Sequence, residues 1–225
     1  TDSPTTNIAT FDPNNPTNGT FSDGNRKVVF AGANWDTAVP TLTIPSGVGK
    51  WYCEFTIVSH ASSSQIGVAL PSNPNLGSDS SGSPSASSSG WAYLNTGGKQ
   101  NGGSAISYGA SWTTGDIISI AYNAEIGAVW FGKNNTWQAS ASAPEIVAGT
   151  TTNAAFTGII GDIYLYAALA STGAATCQYG AADWSYSAPT GYLALEQDNF
   201  VGTDQFISAF SWIKNRDAAD NHMLF

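Results

Sequence analysis

A chain of 225 residues, 42% hydrophobic and 12% aromatic, has enough apolar surface to bury the core of one large β domain and too much to stay disordered. Seven Lys plus Arg against sixteen Asp plus Glu give a net charge of -9, which argues against nucleic acid as a partner, because phosphate binding needs clustered cations. No run of about 18 apolar residues is present, so no membrane insertion is expected, and the N-terminus lacks the basic-then-apolar form of a signal peptide.

Residues 1–20 hold three prolines among many Asn and Thr, a composition for extended and turn structure rather than helix, and 1–24 reads as an N-terminal arm. Asp23-Gly24 stands between Phe21 and the apolar run Val28, Val29 and Phe30, which predicts a hairpin. Residues 50–58 alternate, with Trp51, Cys53, Phe55 and Ile57 on one face and Tyr52, Glu54 and Thr56 on the other. That period of two predicts a half-buried strand with Glu54 on its solvent side. Residues 66–70 predict a short central strand. The stretch 71–90, rich in Ser, Pro and Gly, breaks all periodicity and reads as a long exposed loop inside the domain, with a second Gly-rich loop at 95–103. Residues 116–122 and 127–133, dense in Ile, Val, Trp and Phe, predict an antiparallel hairpin, and 159–169 and 176–179 supply further strands. No segment carries a 3.6-residue stripe, so the fold class is all-β with at most a stray helical turn.

The residues that could carry chemistry are few. Cys53 and Cys177 lie far apart, without a CxxC or a neighbouring His, so no metal is expected and two buried free thiols are favoured over a disulfide. Glycoside hydrolysis needs paired carboxylates, and Glu54 stands alone between Tyr52 and Thr56. The serines of 71–90 lack a nucleophile elbow, while His60 at a strand end and His222 near the C-terminus assemble no triad. Asp12, Asn14, Asn15 and Asp79 offer fragments of a calcium loop that Asx turns explain better. No catalytic residue and no cofactor is therefore expected, which leaves binding through surface shape. The candidate ligand-binding residues are Trp91, Tyr93, Asn95, Lys99, Gln100 and Asn101, because rings stack on sugars or grip peptides and amides hydrogen-bond hydroxyls. Core packing is the competing reading for each Trp, Trp112 and Trp137 included, whereas the loop residues 95–101 are expected to be exposed.

In order along the chain stand Gly49-Lys50-Trp51-Tyr52-Cys53-Glu54-Phe55, Ile66-Gly67-Val68-Ala69, Gly90-Trp91-Ala92-Tyr93, the strand 115–122, Gly127-Ala128-Val129-Trp130-Phe131-Gly132-Lys133-Asn134, and Tyr179-Gly180 followed by 184–192. This series, spread over residues 25–192, resembles a SPRY domain. The resemblance implies an antiparallel β-sandwich of the concanavalin-like jelly-roll type, without catalytic residues. Cys53 replaces a Trp usual in the family, Lys133-Asn134-Asn135 replaces Lys-Asn-Gly, and Gln178-Tyr179-Gly180 replaces Asn-Phe-Gly. Asn tolerates left-handed backbone and Tyr can stand for Phe, so the fold is expected to survive these changes.

The flanks extend the likeness. Residues 1–10 resemble the opening found before SPRY domains in tailed-bacteriophage virion proteins. Trp212-Ile213-Lys214-Asn215-Arg216 and Ala218-Ala219-Asp220-Asn221-His222 resemble the start of the domain that follows there. Met223-Leu224-Phe225 reads as a strand without a partner, so a longer polypeptide or a covering chain is expected. The domain division is then an extended arm at 1–24, the sandwich at 25–192 and a C-terminal segment with a strand at 193–225. The resemblance implies a non-enzymatic virion structural protein, a fibre, tail or capsid-decoration module at the phage particle surface. Its partners would be other virion subunits, in a homo-oligomer such as a trimer, and a host surface glycan or protein. A peptide-binding SPRY adaptor is the alternative, and a glycan-degrading enzyme the third reading.

Overall fold

The computed structural model describes residues 7–15, 18–32, 34–60, 63–77, 80, 82–170 and 172–200. Asp79, His222, the C-terminal motif at 210–225 and most of the N-terminal opening lie outside the described residues.

Two antiparallel sheets form a sandwich. The first contains β1 (Gly19–Ser22), β2 (Lys27–Phe30), β4 (Lys50–Ser59), β9 (Ile117–Asn123), β10 (Ala128–Lys133), β11 (Thr136–Trp137) and β13 (Ala174–Gln178), in the order β1-β2-β13-β4-β9-β10-β11. The second contains β3 (Trp35–Ala38), β5 (Ser64–Ala69), β6 (Gly90–Leu94), β7 (Gly98–Gln100), β8 (Ile106–Ser107) and β12 (Tyr164–Ala170), in the order β3-β12-β5-β6-β7-β8. The alternation of β4 acts as the sequence requires: Trp51, Cys53, Phe55 and Ile57 enter the main core with Ile66 and Val68 of β5 and Leu165, Ala167 and Leu169 of β12. Turn chemistry closes the hairpins. Asp23, Gly24 and Asn25 take φ of 54°, 65° and 63° between β1 and β2, so the sheet already begins inside the stretch read as the arm. Asn134 and Asn135, at φ of 47° and 65°, make the turn between β10 and β11, where the left-handed backbone that Asn tolerates is required.

Three expectations are corrected. Glu54 does not face solvent. The outer face of the first sheet is covered by a helix, α1 (Ala143–Ala148), and by residues 184–192, whose Ile146, Trp184, Ala188 and Tyr192 pack on Tyr52, Ala121, Ala128 and Trp130. Helix α1 is short but fully capped: Ser142 accepts from the Glu145 N–H, proline sits in the first turn, and Gly149 closes it at φ 71°. The stretch 71–90 is likewise not an exposed loop throughout. Its described residues lie on the outer face of the second sheet, with Asn73, Ser83 and Ser85 buried. A polar loop can be buried here because side-chain amides satisfy its carbonyls: Asn73 donates to Pro84 O at 2.9 Å, Asn75 to Ser83 O at 2.9 Å, and Asn101 to Ser88 O and Gly90 O at 2.9 and 2.8 Å. Finally, the strand expected at 159–169 starts only at Tyr164, and before it Ile163 merely bridges Ile44.

The two ends of the sandwich differ. Residues 7–11 run beside the C-terminal stretch, where Ile8 bridges Glu196, the Ala9 N–H donates to Leu195 O, and Asn7 Nδ2 donates to Gln197 Oε1 at 3.2 Å. Leu193 bridges Trp51 at the start of β4, and Phe200 stacks on Trp51 with ring centroids 4.4 Å apart. The chain therefore comes in and goes out side by side, at the end where β4 begins. The opposite, distal end carries the connections β4 to β5, β6 to β7, β10 to β11 and β12 to β13. Among the described residues no helix is long and apolar enough to cross a membrane.

Candidate functional site

The distal end holds much of the polar side-chain structure. Asp116 accepts from Asn134 Nδ2 at 2.7 Å and from the Thr113 N–H at 2.8 Å, and pairs with Lys133 at 3.0 Å. Partial burial opposes its charge, but these donors outweigh that and hold its carboxyl below the usual range. Beside it, His60 bridges two strands, with Nδ1 2.9 Å from Ser64 Oγ and Nε2 3.1 Å from Asn95 Nδ2. Asn95 Oδ1 accepts from the Ser64 N–H at 3.0 Å. Since the Asn95 amide donates to Nε2, the ring is the tautomer with hydrogen on Nδ1, which donates to Ser64.

The six residues singled out from sequence do not converge on one surface. Tyr93 is fully buried. Its hydroxyl donates to Ala110 O, and its ring packs against Tyr108, Trp112 and Phe131, because β6 turns this side inward. Trp91 also packs against the main core, half-buried. Lys99 reaches under the sheet edge to donate to Ala155 O, with its ammonium 5.5 Å from the Tyr108 ring centre and 5.2 Å from that of Phe156. Burial pushes its pKa down. Asn101 pins the 71–90 stretch. The exposure expected for 95–101 is found only at Thr96: Gly97 and Gly98 are buried, and Asn95 and Gln100 are half-buried, though the structure brings these two together.

Asn95 and Gln100 line a cavity of about 190 Å³ on the outer face of the second sheet, with Trp35, Ser63, Ser64, Ser83, Leu94 and Thr96. Strand pairing explains the assembly. Trp35 of β3 lies opposite Ala170 of β12, Gln65 of β5 lies opposite Leu94 of β6, and Gln100 of β7 lies opposite Ala92. The buried 83–85 turn forms a wall, held by the Ser85 hydroxyl donating to Gln100 Oε1 at 2.8 Å. Sequence reasoning missed Trp35 and Ser83. Trp35 sits on a four-residue strand that carries no periodic signal, and Ser83 was one serine among many.

A second, more open groove of about 350 Å³ crosses the outer face of the first sheet, lined by Asp23, Arg26, Thr56, Thr176, Cys177, Gln178 and Asp183. Arg26 pairs with Asp183 at 2.8 Å, and Thr56 donates to Gln178 Oε1 at 2.8 Å. Both cysteines are buried free thiols on the inner faces of adjacent strands, and burial pushes each thiol up, Cys177 to about 12.

Glu54 is fully buried, and all its visible bonds are structural. Its Oε1 accepts from the Tyr52 hydroxyl at 2.6 Å and the Tyr186 N–H at 3.0 Å, and its Oε2 from the Ser185 N–H at 2.7 Å. The carboxylate clamps residues 184–192 to the sheet. Among the described residues no group of three His, Cys, Asp or Glu side chains could hold a metal ion.

Comparison with known proteins agrees with this architecture. The structure resembles the crystal structure of the SPRY domain of human HERC1, with a TM-score of 0.56 at 17% sequence identity, over 75% of this chain and 96% of that one. No curated protein matches the sequence. A family model for the SPRY domain matches residues 50–179, from the start of β4 to the residue after β13. The chain belongs to the SPRY domain family.

Proposed function

We propose that the chain is a non-enzymatic recognition module of a tailed-bacteriophage virion, a fibre, tail or capsid-decoration element that adheres to the host surface. The observation that carries the recognition reading is the polarity of the sandwich: the chain comes in and goes out at one end, while the Trp35 cavity with Asn95 and Gln100 opens beside the other. A module built this way is tethered at its base and presents its far end. The assignment to a virion is supported by the likeness of residues 1–10 and 210–225 to phage flanking segments. As a homo-oligomer, such as a trimer assembled with other virion subunits, it would multiply weak contacts, since avidity can exceed single-site affinity by about 10² to 10⁴. The non-enzymatic reading is supported by Glu54, the best carboxylate in the sandwich, whose two oxygens are occupied by structural donors.

Mass spectrometry of purified particles, with a competition assay in which the isolated chain blocks particle adsorption to host cells, tests this. The chain is expected in the particles and as an inhibitor of adsorption. Absence from particles overturns the virion assignment, and failure to compete overturns adhesion.

One observation favours the adaptor alternative. The groove at Arg26 and Asp183 combines a cation, carboxylates and the amide of Gln178 on an open sheet face, chemistry suited to an extended polar peptide. Selection from a random peptide library that enriches a motif lost on Arg26→Ala would move the assignment to that reading.

A further inference from the structure

We infer that the cavity beside Trp35 is a seat for a single neutral sugar ring. This deepens the adhesion reading by naming the ligand class, and rests on it for its biological role. Among the described residues the lining combines one aromatic face, the half-buried Trp35 indole, and one aliphatic side chain, Leu94, with uncharged polar groups. A pyranose presents an apolar face of C–H groups and a ring of hydroxyls, and these surfaces match an indole and a set of hydroxyls and amides respectively.

Three details favour this ligand over others. First, the volume of about 190 Å³ falls below the roughly 300–1,000 Å³ of drug-sized pockets. That suits one ring and not a peptide segment. Second, among the described residues no charged side chain lines the cavity, and the whole chain carries -9, so a carboxylated or sulfated sugar finds no counter-charge there and an adverse field. Third, polar capacity is left over. The Ser63 and Thr96 hydroxyls have no hydrogen-bond partner among the described residues. Around these, the wall is already fixed: Asn95 is held by Ser64 and His60, and Gln100 by Ser85 and Gly103, so little side-chain freedom remains to be lost on binding.

The test is ligand-observed NMR titration of the full chain with the methyl glycosides of glucose, galactose, mannose, rhamnose and N-acetylglucosamine, with glucuronic acid as the charged counter-probe. Saturable binding of at least one neutral probe is expected, weakened about tenfold by Trp35→Ala and less by Trp35→Phe, with glucuronic acid at least tenfold weaker than its neutral counterpart. Thr96→Val, at the exposed rim, provides a second variant and is expected to weaken binding about fivefold without loss of folded signal dispersion. No saturable binding of any neutral probe overturns the inference. So does binding indifferent to both Trp35→Ala and Thr96→Val, or binding of glucuronic acid as tight as glucose. The two levels separate cleanly. Host-cell competition that persists in Trp35→Ala and ignores the sugars leaves adhesion standing and removes the sugar seat. Sugar binding without any competition does the reverse.

Discussion

Glu54→Gln separates a clamp from a catalyst. The carboxylate takes three donors: the Tyr52 hydroxyl at 2.6 Å, the Ser185 N–H at 2.7 Å and the Tyr186 N–H at 3.0 Å. Glutamine offers one acceptor oxygen and one NH2 group. If its oxygen keeps Tyr52 and Tyr186, the NH2 faces the Ser185 N–H, donor against donor; if it turns over, the Tyr186 N–H is orphaned instead. Hydrogen bonds to a charged group contribute about 1.5–3 kcal/mol each, and the bonds that survive lose their charge assistance, so Glu54→Gln should destabilise the fold by about 2–4 kcal/mol. For a domain of this size each kcal/mol lowers Tm by about 2–4 °C, giving a drop of about 4–16 °C. Urea denaturation measures the free energy, and hydrogen exchange at the Ser185 and Tyr186 amides reads the bonds themselves. Both amides should exchange faster in the variant. A Glu54→Gln protein within about 0.5 kcal/mol of the parent, with those amides equally protected, would refute the clamp.

Gly67→Ala should destabilise by about 3 kcal/mol, at the upper end of overpacking costs, because a Cβ there would stand 2.2 Å from Trp91 O and 2.9 Å from the Tyr166 hydroxyl, between two paired strands; equilibrium unfolding checks it. Burial pushes the phenols of Tyr52, Tyr93, Tyr108, Tyr122, Tyr166, Tyr179 and Tyr192 up, Tyr122 to about 12. The folded chain thus keeps protons that the unfolded chain releases near pH 10, so stability is intact below that pH and is lost as pH rises through about 12. Tyrosinate absorbance from these rings should appear together with the loss of near-ultraviolet circular dichroism. Cys53 and Cys177, both buried, should stay unreactive toward a thiol reagent at pH 8 in the native protein and react in full in denaturant.

Much of the first sheet was legible because its signals are local. The alternation of β4 and the apolar runs of β9 and β10 report their own burial, and Asp23-Gly24 and Asn134-Asn135 specify turns by chemistry that acts within four residues. The environment of Glu54 was not legible. Two of its three partners lie 131 and 132 residues away, and a strand that alternates apolar and polar reads the same whether its second face meets water or a covering segment. The Ser-rich stretch misled for a related reason: its burial depends on the amides of Asn73, Asn75 and Asn101, whose aim is fixed only after the second sheet exists. At the candidate cavity, Asn95 sits in a turn as its polar, Gly-rich surroundings predict, whereas Gln100 lies on β7 and not in the expected loop, and Tyr93 points inward because period two alone does not say which face is buried. Trp35 escaped because β3 is four residues long and reaches the cavity through pairing with a strand more than 130 positions later.

The central claim is that the end remote from residues 7–11 and 193–200 touches the target and leaves it chemically unchanged. Hydrogen-exchange footprinting of the full chain, mixed with envelope glycan from the host and followed by sizing of the recovered glycan, addresses both halves at once. Protection confined to residues around Trp35, Ser63, Ser83 and 94–100, with glycan of undiminished length, is the predicted result. Protection at residues 7–11 and 193–200 instead, or a shortened glycan, would contradict it.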